Sequence, residues 1–461
     1  MGTAYTVSTG TRRARTVPLR QVARGLARDP ARALIEFGER AGGEVVRLHL
    51  GSFRPYLVSE PEHVQQVLRD RAEDFARTGD GAFWRPLGRL FGEGILGAGA
   101  VWADSRRILQ PLFTAKRIEA LMAGMAETIA DAVAELDEPA RAGRPVDMLA
   151  EQARIVCTAI MRALFADRVS VADALRIMRA QDAIATSVIP RLLMPFVPMW
   201  MPAPGDRTFR HAVRSIDEIL VPIVRAARET AADGDDIIAT LWRGRTADGR
   251  PLDERRVRND TVAMVAVTTE TTINVLAWLW PHLKQSPEIA ARLQQEIDEV
   301  VGGDRVGPEH LPRLRYTRMV LDELVRLYPV GWLEPREATR TTSLGGVRIE
   351  AGATLLVSPL ITQRMARHWE RPEVFDPERF APERVRNRHR YAFFPFGGGP
   401  HQCLGMHLFY QEAQLIVANL LSRYRLTVRG PAVPDVRLAA ALRPGSRVLL
   451  ELRPAGSREA A

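Results

Sequence analysis

Cysteine is nearly absent: Cys157 and Cys403 are the two in 461 residues. Two thiols make no disulfide framework, so burial must hold the core, and the usage fits a reducing compartment. Lysine is equally scarce, with Lys116 and Lys284 alone, so arginine carries the net charge of +9. No basic run is interleaved with aromatics, which leaves no nucleic-acid groove; a basic surface suits an acidic protein partner instead. No run of 18 apolar residues occurs, so no membrane span is expected. Met1 to Arg20 is polar and basic and lacks the apolar core of a signal peptide. The nearest apolar stretch, Ile189 to Met201, is interrupted by Pro190, Arg191, Pro195 and Pro198 and reads as an apolar loop over a pocket.

What is present supports a large core, with 46% hydrophobic residues. Residues 21–42 carry helical spacing. Glu44 to Leu50 alternates, turns at Gly51 and returns through Pro55 to Val58, a hairpin signal. A short helix is expected over Glu62 to Leu68, and a glycine- and aromatic-rich loop over Gly79 to Gly99. Helical spacing resumes at Trp102 to Phe113 and dominates to about residue 300, with breaks near Gly143 to Pro145, Pro190 to Gly205 and Gly244 to Pro251. Strands are expected at Leu344–Ile349, Ala353–Val357, Leu426–Val428 and Arg447–Leu452. No internal repeat is found. The class is α+β and mostly α, without βαβ alternation. Residues 1–20 form a flexible basic segment, 21–453 a single domain and 454–461 a tail.

Chemistry concentrates in the stretch Phe394 to Gly405, which places Cys403 in a glycine-rich loop ahead of an apolar helical pattern. Glycines let a backbone bend so that N–H groups reach a sulfur. A following helix adds its positive end to the same atom. The loop therefore reads as a holder of a buried thiolate against a metal. A lone cysteine is more often a small buried hydrophobe, and Cys157 is read that way. Gly397, Gly398 and Gly399 do not make a dinucleotide loop. His401, Cys403 and His407 lack the partners of a zinc site. A Cys–His nucleophile stays open, but it gives the aromatic frame no purpose.

Three other places stand out. Glu323 and Arg326 share a helix face and can pair; taken alone such a pair is usually superficial. Trp102 and Arg106 set an indole N–H and a guanidinium one turn apart, donors suited to a carboxylate. Asp260 to Trp280 is an apolar helix interrupted by Thr268 to Thr272. There the ordinary reading has threonines bonded to their own backbone carbonyls, and the functional one has an acid–alcohol pair moving protons.

The loop resembles the cysteine-ligand loop of the cytochrome P450 family, Phe-x-x-Gly-x-(Arg or His)-x-Cys-x-Gly, on Phe396, Gly399, His401, Cys403 and Gly405. The resemblance extends along the chain in family order. It implies a triangular, helix-rich P450 fold with small sheets, and haem b held by Cys403 as the axial ligand. Trp102, Arg106, Arg336 and His401 would hold the haem propionates, with Ser105 where members often carry His. Glu323, Arg326 and Arg379, the last in the turn Phe375 to Phe380, resemble the family's buried network beneath the haem. Glu270 and Thr271 match its proton-delivering pair. Val267 and Thr268 stand where the family has Ala and Gly, so Thr268 narrows the oxygen site or adds a hydroxyl to it. Substrate would meet Phe83, Trp84, Phe91, loop 189–201, Ala263, Val267, Val330, Trp332, Leu333 and Ala440, a lining for an apolar molecule.

The implied activity is that of a soluble, cytoplasmic bacterial haem-thiolate monooxygenase. It would hydroxylate a terpenoid or polyketide of secondary metabolism with O2 and electrons from NAD(P)H. Those electrons would come through a ferredoxin and its reductase, with Arg107, Lys116, Arg117, Arg388 and Arg390 as docking cations. Alternatives are a coupling, isomerising or peroxide-driven member, suggested by Val267 and Thr268, and a haem-binding protein without catalysis.

Overall fold

Side-chain caps start the main helices. Asp29 accepts from the Arg32 amide ahead of Pro30–Ala41, and Thr114 from Arg117 ahead of Ala115–Ala134. Asp147 does so for Met148–Phe165 and Asp253 for Glu254–Ala277. Each satisfies amides that the first helical turn leaves without a partner. The computed structural model describes residues 11–77, 93–193, 200–430, 433–438 and 441–455. Their contacts resolve two compact units, residues 1–81 with 322–403, and residues 82–321 with 404–461.

The first unit is built on a six-stranded sheet. Its order is Arg15–Val17, Val46–Leu48, Tyr56–Val58, Thr354–Val357, Glu334–Ala338, Phe75–Ala76. The expected hairpin is present, with Val46 opposite Leu57 and Gly51 at φ +70° in its turn. Two expectations change. Residues 21–42 form two helices, Leu19–Arg28 and Pro30–Ala41, because Pro30 cannot donate to the preceding turn and Asp29 caps the second helix. Leu344 to Ile349 is a turn of its own rather than one strand. Thr342–Leu344 pairs with Val347–Ile349 across Gly345 and Gly346, at φ +56° and +72°, the two left-handed positions of a tight hairpin. Part of the basic N-terminal segment, Arg15–Val17, pairs in parallel with Val46–Leu48 instead of remaining flexible.

The second unit is helical. The long helix Glu254–Ala277, here the threonine helix, is buried along most of its length. The segment Glu254–Gln285 is long and apolar enough to cross a membrane, but 78% of its most apolar window is buried in protein, as in a core helix. Val171–Leu193 takes in Pro190 and ends three residues later, within the expected break before Asp206–Glu229. Arg191, 2% exposed, pairs with Asp206 at 2.6 Å and fixes its end. Tyr424–Arg429 pairs with Leu449–Pro454, which also meets Val146–Asp147, a strand without a sequence signal. A further hairpin joins Val436–Leu438 to Leu442–Pro444.

Candidate active site

In the first unit the cysteine loop is fixed by backbone geometry. Gly397 and Gly399 adopt φ of +69° and +63°. A Cβ on Gly399 would stand 1.9 Å from the Leu68 carbonyl oxygen, so only glycine allows the loop to close on the π-helical turn Gln66–Asp70. The Cys403 amide donates to Phe396 O at 2.9 Å, and the Phe394 amide to Gln363 Oε1 at 2.9 Å. Phe396 and His401 are half-buried. Cys403 is exposed in its unit. Gly405 precedes the helix Met406–Arg423 as its N-cap.

Glu323 and Arg326 are fully buried and pair twice, at 2.6 and 2.8 Å. Glu323 Oε1 also accepts the Asp376 amide at 2.9 Å and meets Arg379 Nε at 3.4 Å. Arg326 Nη1 donates to Gln363 O at 2.8 Å, and its guanidinium lies 5.0 Å from the Trp369 ring centre. Gln363 thus links this network to the cysteine loop within one unit. Arg388, expected as a docking cation, instead stacks 4.1 Å over Trp369 and donates to Arg379 O at 2.6 Å.

Arg336 is buried and donates to Glu334 Oε2 at 3.1 Å. Burial pushes the Glu334 carboxyl up, against the pull of Arg336 and Arg77. Burial and Arg336 bring the Arg77 guanidinium down to about 10. Two arginines around one carboxylate leave this cluster with one net positive charge. Sequence reading missed Arg77 because it follows Phe75–Ala76 with no motif. Val330, Trp332 and Leu333 are half-buried, and Trp332 O accepts from Ser358 Oγ at 2.6 Å.

In the second unit Trp102 and Arg106 are half-buried on the helix Gly99–Leu109. Ser105 is not a ligand donor. It is buried and donates to Asp260 Oδ2 at 2.6 Å, while the Ile95 amide donates to Asp260 Oδ1. This ties the helix to the threonine helix, a role that a lone Asp in an apolar pattern does not announce.

From Asp260 onward, the half-open residues of the threonine helix are Val262, Val267, Glu270 and Thr271. The last three lie at i, i+3 and i+4, hence on one face. Glu270 Oε1 accepts from Arg443 Nη2 at 2.6 Å, and Arg443 also holds Asp182 at 2.6 and 2.7 Å. Burial raises the Glu270 carboxyl, and Arg443 draws it back. Thr271 donates to Val267 O at 3.1 Å and Thr268 to Met264 O at 2.6 Å, the backbone bonds of the ordinary reading. Phe83, Trp84, Phe91 and Ala440 lie outside the described residues. Two surface cavities, of 730 Å³ beside Arg176 and Arg207 and of 490 Å³ beside Asp137 and Arg423, contain none of the residues singled out above.

The Cytochrome P450 family model matches residues 17–449. A cyclooctat-9-en-7-ol 5-monooxygenase of Streptomyces melanosporofaciens is 32% identical over 390 residues, 84% of this chain and 83% of that one. A pentalenene oxygenase of Streptomyces avermitilis is 28% identical over 404 residues, 87% of each chain. The crystal structure of the cytochrome P450DA heme domain matches with a TM-score of 0.83 over 96% of this chain and 98% of that one; at 20% identity it speaks to the fold alone. With a family match over nearly its whole length and relatives that are oxygenases, this chain belongs to the cytochrome P450 family and is a monooxygenase.

Proposed function

We propose that the chain hydroxylates an apolar terpenoid in bacterial secondary metabolism, in the cytoplasm, using O2 and two electrons from NAD(P)H delivered by a ferredoxin and its reductase. The observation that carries this reading is the chemistry of the half-open face of the threonine helix. An apolar residue, an acid and a hydroxyl stand together there on a helix that is buried along most of its length. The Streptomyces relatives whose names denote terpenoid oxidation support the substrate class.

The donor set fits haem. Among the described residues no three His, Cys, Asp or Glu side chains could hold a bare metal ion. One exposed thiol suits a metal that brings its other ligands in a macrocycle. The net positive charge of Arg77, Arg336 and Glu334 suits an acid group. Cys403 is the iron ligand in this reading. Arg336 and His401 take one propionate, and Trp102 and Arg106 the other. Bound haem supplies the activation of O2. Phe396 and Gly405 shape the loop around the sulfur. Glu323, Arg326 and Arg379 hold the scaffold beneath it. Val267, Val330, Trp332 and Leu333 give the substrate an apolar wall, with Phe83, Trp84, Phe91 and Ala440 assigned by resemblance. Glu270 and Thr271 move protons, and Thr268 shapes or shares that path.

The engagement of Glu270 with Arg443, and of Thr271 with Val267 O, favours one second reading, a peroxide-driven oxidation that needs no proton relay. Reconstitution decides. Purified chain, ferredoxin, reductase and NADPH should convert a member of a terpenoid panel containing pentalenene and cyclooctat-9-en-7-ol. Product from peroxide alone, with none from NADPH, would select the second reading.

Docking cations should make electron transfer salt-dependent. Lys116 and Arg390 are exposed, whereas Arg107 and Arg117 are engaged with Asp104 and Asp235. The Debye length falls from about 10 Å at 0.1 M to about 3 Å at 1 M. First-electron transfer from an acidic ferredoxin should slow over that range and in Lys116→Glu. A rate indifferent to both would remove the docking assignment.

A further inference from the structure

Within the second unit, Val171–Leu193 and Asp206–Glu229 pack along one another, and the larger surface cavity, of 730 Å³, is a cleft between them. One wall carries Arg176 and Arg179, the other Arg207, Arg210, His211 and Arg214, and all six are exposed. Arg176 and Arg179 stand at i and i+3. Arg207, Arg210 and Arg214 stand at i, i+3 and i+7, so each set shares one helix face. Between the walls lie Ala180 and Ala183, side chains too small to fill the space. Two features fix the walls. Gly205, at φ +94°, lets the second helix start against the first, since a Cβ there would stand 2.3 Å from Ser187 O. Buried Arg191 pairs with Asp206 and donates to Met201 O at 2.7 Å.

The protein does not balance the charge of this cleft. Asp173 takes Arg176 at 3.2 Å. The other acids nearby are engaged elsewhere: Asp182 with Arg443, Asp206 with Arg191 and Asp217 with Arg258. Arg179 and Arg214 donate to carbonyls of their own helices, Leu175 O and Arg210 O. Among the described residues no carboxylate pairs with Arg179, Arg207, Arg210 or Arg214, not even Glu218 one turn beyond Arg214. Like charges one turn apart destabilise a helix, and a concave surface of one sign concentrates counter-ions. The fold nonetheless gathers these guanidinium groups around one hollow, which suits an anion.

The lining narrows the choice of anion. Each guanidinium offers a planar fork to two oxygens at a time. At 1.5 Å per residue, Arg207 to Arg214 spans about 10 Å along its helix. A single phosphate or carboxylate meets one or two forks, whereas linked phosphates present oxygens to both walls along that length. No carboxylate lines the cleft, so a magnesium ion bridging to the phosphates has no ligand there. The lining has no ring but that of His211, which leaves a nucleobase little to stack on.

We infer that this cleft is a binding site for a diphosphate or longer oligophosphate group, held directly by the arginines and without a metal. It shares no residue with the oxygenation site and does not rest on the oxygenase reading. Two sources carry such a group: a free one, such as pyrophosphate or a nucleotide, and a prenyl chain that ends in diphosphate. The prenyl source would find an apolar surface at hand. Trp200 and Met201, 81% and 41% exposed, precede the second helix, and Arg191 ties Met201 to its first residue, Asp206.

Calorimetric titration of the haem-loaded protein at about 0.1 M salt tests the site. Pyrophosphate and tripolyphosphate should bind saturably, one per chain, and at least about tenfold more tightly than orthophosphate. ATP should match tripolyphosphate, and EDTA should change nothing. Arg179→Ala and Arg210→Ala, one on each wall, should each weaken pyrophosphate binding about tenfold or more. Arg162→Ala, which removes an exposed arginine of Met148–Phe165 outside the cleft, should not. Melting gives an independent readout. Pyrophosphate should raise the Tm of wild type and Arg162→Ala more than that of either wall variant. Without ligand the wall variants should melt no lower than wild type, since each loses a like-charged neighbour. Farnesyl diphosphate that pyrophosphate displaces, and that binds about tenfold more tightly, would assign the prenyl source; farnesyl diphosphate no tighter than pyrophosphate would assign the free one. No saturable oligophosphate binding, orthophosphate as tight as pyrophosphate, a requirement for magnesium, or equal weakening by Arg162→Ala would each overturn the inference.

Discussion

Replacing Glu323 by alanine should leave little haem-loaded protein to purify. The substitution strips Arg326, itself without exposed surface, of both its carboxylate bonds. It removes the acceptor of the Asp376 amide and the ion partner of Arg379 as well. Removing one partner of a buried pair costs about 3–5 kcal/mol because the remaining charge stays buried. That is a large share of a net stability of about 5–15 kcal/mol. Arg326→Ala should behave alike, since Glu323 would then face only Arg379. Glu323→Gln, which keeps two hydrogen-bonding atoms but no charge, should fall between. Yield, haem-to-protein ratio and thermal midpoint measure this. Normal values in Glu323→Ala would mean that the network is dispensable and that the cysteine loop is held by something other than Gln363 and its neighbours.

The second large effect concerns electrons rather than folding. Thr271→Ala should keep haem and substrate binding while product per electron pair falls about tenfold or more, the balance appearing as peroxide. Thr268 provides the contrast. If its hydroxyl carries the relay, Thr268→Ala should uncouple and Thr271→Ala should not; if it only crowds the oxygen site, Thr268→Gly should keep or improve coupling. Arg443→Gln adds a pH signature. Burial holds the Glu270 carboxyl above its usual range and Arg443 pulls it down. Without that charge, Glu270 should keep its proton to higher pH, moving the alkaline limb of the coupling profile upward. A limb that stays in place, with coupling unchanged in all the threonine variants, would remove Glu270 and Thr271 from proton delivery.

Much of this was legible because local patterns carry local geometry. The hairpin at Gly51, the α-rich middle and the late strands follow from period and turn chemistry, and the glycines around Cys403 mark a backbone that must pass close to Leu68. Pro30 and the Gly345–Gly346 pair mark a helix break and a hairpin by the same local rules. What stayed hidden depends on partners distant in sequence. Arg443 reaches Glu270 across 173 positions and Glu412 reaches Thr272 across 140. Ser105 meets Asp260 across 155. Nothing local to either member of these pairs says whether its charge or hydroxyl is satisfied. Nor does sequence say that Arg388 would lie flat on Trp369 rather than face solvent.

The measurement that reaches the centre of the account is the absorption spectrum of the reduced carbon-monoxide complex, taken on wild type and on Cys403→Ala. Wild type should bind one haem and show the red-shifted Soret band of thiolate ligation, and Cys403→Ala should lack that band. Wild type without the band, or Cys403→Ala that retains it, would contradict the assignment of Cys403 as the ligand.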